Sequence, residues 1–116
     1  MAKVFGIHHL ELKPGVDVAE FERFIRDEFN ALPHPAGWQS SIVKGERGNK
    51  VGQYLYISEI ESLETRNRHI PDGGPLSPEL QKLVDTSSPT LDKLSSYLTI
   101  PLFGGGEFTD YVTVGK

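Results

Sequence analysis

The sequence predicts an α+β domain in which helices cover one face of a four-stranded antiparallel sheet. Three observations predict it. Strand-like runs, 4–13, 37–46, 51–58 and 108–114, alternate with helix-like stretches in the order β-α-β-β-α-β. The helix-like stretches repeat apolar residues at i, i+3 and i+4. The third run, Val-Gly-Gln-Tyr-Leu-Tyr-Ile-Ser, is apolar at odd and even positions alike. Successive strand side chains point to opposite faces, so both faces of that strand need a cover.

Strand 1 ends at Pro14-Gly15. Helix 1 follows, with Asp17 as N-cap, Glu20 three residues on as in a capping box, and Val16 and Phe21 placed as a hydrophobic staple. Phe21, Phe24, Ile25, Phe29 and Leu32 share one helical face, and Pro33-His34-Pro35 ends the helix. Strands 2 and 3 are joined by a turn at Gly48-Asn49. Helix 2 starts at Ser62 and runs to about Ile70, with Leu63, Asn67 and Ile70 on one face, and the Pro-Gly-rich stretch 71–75 breaks it. Ser77-Pro78-Glu79 starts a second piece with Leu80, Leu83 and Val84 on its apolar side. Ser88-Pro89 starts a third, with Leu91, Leu94 and Leu98 as its stripe. A triglycine loop, Gly104-Gly105-Gly106, leads to the last strand and lacks the strand-to-helix context of a phosphate loop.

This order is the split βαβ, ferredoxin-like one. Parity then assigns the faces. Val4, Gly6, His8, Leu10 and Leu12, with Leu55, Ile57, Val112 and Val114, form an aliphatic set expected under the helices. Phe5, Ile7 and His9, with Tyr54, Tyr56, Thr109, Tyr111 and Thr113, are expected on the open face. Such a face is too apolar for water, and packing it on its own copy about a two-fold axis gives a homodimer with an eight-stranded barrel.

The 116 residues make one domain, 1–116. The formal charge is −4 and Lys and Arg are scattered, which argues against nucleic acid as a partner. There is no cysteine, so disulfides, thiolate metal sites and cysteine nucleophiles are excluded. No stretch approaches the roughly 20 apolar residues of a membrane helix, and the first residues lack a signal-peptide pattern. The expectation is a cytoplasmic protein with no membrane partner. The histidines lack the i, i+4 spacing of a zinc helix, so no metal site and no cofactor are assigned.

The element order, Leu10-Glu11-Leu12-Lys13 at the end of strand 1, the acidic start of helix 1, and Tyr54-Leu55-Tyr56-Ile57-Ser58-Glu59 followed by Ser62-Leu63-Glu64 resemble the dimeric α/β-barrel superfamily. Within it the chain looks most like the stress-responsive barrel (Dabb) proteins and the related cofactor-free monooxygenases and polyketide cyclases. The resemblance implies a ligand between sheet and helices, of aromatic or polyketide-like kind, on which a histidine and a tyrosine act. His8 then becomes the candidate base, because neutral imidazole takes a proton near neutral pH. Tyr56 becomes the candidate oxyanion donor. The plainer reading of His8 is a buried imidazole with one satisfied hydrogen bond.

His9, Tyr54, Tyr111 and Trp38 are candidate ligand-binding residues, the alternatives being interface packing for the tyrosines and a core anchor for Trp38. In haem-degrading relatives a helical histidine near the place of His69 ligates iron. Here His69 falls about 100° off the Leu63/Asn67/Ile70 face, which predicts an exposed or flanking position and leaves haem binding as an alternative. His34, between two prolines, is expected to be exposed.

Overall fold

The structure, a computed structural model, describes residues 2–102 and 108–115; the triglycine loop lies outside them. The elements are β1 (Val4–Leu10), α1 (Val18–Asp27), β2 (Trp38–Lys44), β3 (Tyr54–Ile60), α2 (Leu63–His69), α3 (Pro78–Thr86), α4 (Ser88–Tyr97) and β4 (Phe108–Val112). The four strands form one antiparallel sheet in the order β2-β3-β1-β4. This α+β arrangement is compatible with a ferredoxin-like fold.

The helix starts follow the local chemistry. The Asp17 side chain accepts from the Glu20 N–H at 3.2 Å, and Ser62 and Ser77 accept from Thr65 and Leu80, each at 3.1 Å. α1 buries Phe21, Phe24 and Ile25 against the sheet. It stops at Glu28, and Phe29–Ala31 continue as a 3₁₀ turn, so Phe29 is buried from a separate element. Phe21 meets the rings of Tyr54 and Tyr97 edge-on, at 5.2 and 5.4 Å. Leu94 and Leu98 of the α4 stripe are fully buried beside them.

The strand faces correct the parity assignment. His8 pairs with Tyr56 and Leu10 with Tyr54, so both tyrosines lie under the helices. Leu55 and Ile57 point to the open face instead, beside His9 and Ile7. Alternation within a strand yields two faces, but only pairing fixes which face of one strand matches which of the next. Val112 and Val114 are exposed rather than covered: β4 is an edge strand exposed along its whole length, and Val114 lies beyond its end. Strand 3 starts at Tyr54, not Val51: Gly52 takes a left-handed φ of 84° and leaves Val51 exposed.

The face of α2 also differs. Thr65 and His69 are buried, while Leu63 and Ile70 are 40% exposed. The buried polar groups are satisfied: the Thr65 hydroxyl donates to Glu61 at 3.0 Å, and His69 Nδ1 shares a hydrogen bond with Ser77 Oγ at 2.7 Å. Local bonds therefore override the apolar pattern there.

Candidate functional site

A cavity of about 320 Å³ lies between the helix side of the sheet and the helices. Its floor is Trp38 and Ser40 of β2 and Tyr56 of β3. Its roof is Leu80, Leu83 and Val84 of α3, with Leu91 of α4. Phe29 and the 33–35 segment close one side. The apolar stripe of α3 thus faces the cavity rather than close-packed core, and α3 buries no residue fully. The size falls within the range of small-molecule sites, and among the described residues no Asp, Glu, Lys or Arg lines the walls.

Sequence-local features set the floor. Gly37 has φ 79°, a left-handed backbone that favours glycine, and it places the chain against the Glu61 side chain as it enters β2. Trp38 follows at once and turns into the cavity. His69 lies behind it, 6.2 Å from Trp38 between ring centroids and 1% exposed. The expected exposed or flanking position of His69 is thereby overturned. Its Nδ1 bonds Ser77, the residue that caps α3, and with the ring buried a haem iron could reach Nε2 only if the packing around it opened.

His34 is exposed in part, as expected, but it also lines the cavity. Its Nε2 lies 2.6 Å from Ser40 Oγ, and burial pushes its imidazole below the usual histidine range. Pro33 and Pro35 restrict the backbone on either side of His34, but no sequence signal marks the direction of its side chain.

No family model, curated protein or solved structure matches the chain.

The structure separates the candidates from the sequence. Trp38 and Tyr56 line the cavity. His8 stands next to it: its ring meets Tyr56 edge-on at 5.6 Å and stacks on Phe108 at 5.3 Å, and Nδ1 lies 3.3 Å from the Leu102 carbonyl oxygen. Burial lowers the His8 pKa, Asp110 opposes this, and His9 adds to it. Asp110 approaches because β1 carries Gly6 opposite it; a Cβ there would lie 2.9 Å from Asp110 Oδ1. Arg66 of α2 holds Asp110 at 2.5 Å.

Tyr54 is on the helix side but bound elsewhere. Its hydroxyl donates to Glu22 at 2.5 Å, and Lys44 bonds the same carboxylate at 2.8 Å. Burial and Glu22 push the Tyr54 phenol up, while Lys44 and Tyr54 hold Glu22 below the usual carboxylate range. His9 and Tyr111 are exposed on the opposite side of the sheet. They share that open face with Phe5, Ile7, Leu55 and Ile57. Among the described residues no cluster of three or more His, Asp or Glu side chains could hold a metal, and no helix is long and apolar enough to cross a membrane.

Proposed function

We propose that this chain binds a small apolar or aromatic molecule in the cavity between β2, β3 and the α3–α4 pair. One observation carries the reading: Trp38, Phe29, Leu80, Leu83 and Val84 form the apolar wall of a half-open volume of about 320 Å³ between sheet and helices. A second copy of the chain covers the open sheet face, where Phe5, Ile7, Leu55, Ile57 and Tyr111 gather more apolar surface than a small monomer usually shows to water. Two sheets meeting there form the eight-stranded barrel of the superfamily that the chain resembles.

Native mass spectrometry tests the binding role. The protein, incubated with a panel of neutral aromatic compounds, is expected to retain one molecule per chain, unmodified. Absence of any adduct across the panel, with the chain folded, contradicts the reading.

The contact between His8 and Tyr56 supports a second reading, a cofactor-free enzyme in which His8 takes a proton from a ligand held against Tyr56. A retained compound that leaves chemically altered by wild type, but unaltered by His8→Ala and His8→Gln, supports catalysis. Equal conversion by all three removes His8 from that role.

A further inference from the structure

The walls of the cavity are apolar except at a few places, and two of these polar groups act together. His34 Nε2 and Ser40 Oγ lie 2.6 Å apart on the cavity margin. A serine hydroxyl offers one donor and two acceptor positions, and the imidazole nitrogen uses one of the three. If Ser40 donates to His34, its lone pairs remain for a ligand hydroxyl. If the other tautomer is present, His34 donates and the Ser40 O–H turns to a ligand carbonyl. The pair therefore serves either type of neutral polar group without a change of charge.

The same walls disfavour charge. Among the described residues no Asp, Glu, Lys or Arg lines them, so a ligand ion there would lose hydration with no permanently charged counter-ion. Burial also favours the neutral form of His34, which withholds the one imidazolium that could pair with an anion.

We infer that the His34–Ser40 pair is the specificity-determining anchor of the cavity, selecting a neutral, largely apolar molecule that carries one hydroxyl or carbonyl group. This rests on the cavity binding proposed above. It adds which ligands are preferred and which residues prefer them.

Displacement of the neutral fluorescent probe N-phenyl-1-naphthylamine by naphthalene, 1-naphthol and 1-naphthoate tests it. At neutral pH, 1-naphthol is expected to bind about fivefold more tightly than naphthalene, in line with one net hydrogen bond. 1-Naphthoate is expected to bind more weakly than 1-naphthol. Ser40→Ala, and separately His34→Leu, should bring the naphthol-to-naphthalene ratio close to one, chiefly through weaker binding of 1-naphthol. Retained naphthalene binding also shows that each variant is folded. Equal binding of 1-naphthol and naphthalene by wild type, a ratio unchanged in both variants, or tighter binding of 1-naphthoate overturns the anchor and leaves the cavity reading standing. Failure of the probe and all three compounds to bind overturns both.

Discussion

His8 and Tyr56 face each other across β1 and β3, on the helix side of the sheet, with their rings edge-on at 5.6 Å. Half-burial there pushes the His8 imidazole below its ordinary value of 6.5, and burial does the same to His34. The unfolded chain therefore takes up protons as pH falls through 6.5, where the folded chain does not yet do so. Stability is full above 6.5, declines as pH drops toward the lowered folded values, and levels off below them. Thermal melts on the acid side of neutrality should show this decline, and His8→Gln and His34→Gln should each make it shallower. A melting temperature independent of pH across that interval contradicts the lowering of both imidazoles in the folded chain.

The α3 roof gives a direct way to close the cavity. Val84 is only half-buried although it faces inward, because the space before it is unfilled. Val84→Phe should occupy that space. Stability is expected to stay within about 1.5 kcal/mol of wild type, since there is room for the ring. Probe affinity should fall more than about tenfold. A stable variant with undiminished affinity would place the ligand elsewhere.

His69 ties α2 to the start of α3 through Ser77, which also caps α3. His69→Ala removes a fully buried ring and the partner of Ser77, and is expected to cost about 2–4 kcal/mol in chemical denaturation. His69→Gln, which can still reach a hydroxyl, should cost less. A loss below about 0.5 kcal/mol for the alanine variant would show that the bond does not hold this junction.

Ile57 pairs with Ile7 at the centre of the open sheet face. Ile57→Asp should leave the helix-side core untouched. Wild type is expected to sediment as a two-chain particle at micromolar concentration and the variant as a single chain, with the same circular dichroism. A wild-type single chain under those conditions removes the barrel dimer.

The element order was legible in the sequence because caps and breakers act locally: Asp17, Ser62, Ser77 and the prolines at 33, 35 and 78 start and stop helices within a few residues. The stripes of α1 and α4 were legible for the same reason, as was the apolar side of α3. The pairing phase of the strands was not. It depends on contacts far apart in the chain, His8 with Tyr56 and Leu10 with Tyr54, and one step of phase moves both tyrosines across the sheet. The α2 face was hidden because its buried side is polar, and only the positions of Glu61 and Ser77 make that tolerable. Of the site, Trp38 and Tyr56 were readable as residue types suited to a cavity. His34 was passed over because a loop histidine has no periodicity to mark which way it points.

Trp38 is the chain's single tryptophan and lines the cavity, so its fluorescence responds to that space; it also borders a polar cleft with Lys3, Gln39 and Glu59, and Val84→Phe tells the two apart. Titration with N-phenyl-1-naphthylamine, with excitation of the indole, measures occupancy at Trp38 itself. The expected result is saturable quenching of Trp38 with matching sensitised probe emission, at one probe per chain, abolished by Val84→Phe. Unchanged tryptophan emission, or probe emission that rises without saturating, would contradict a ligand site between the sheet and α3.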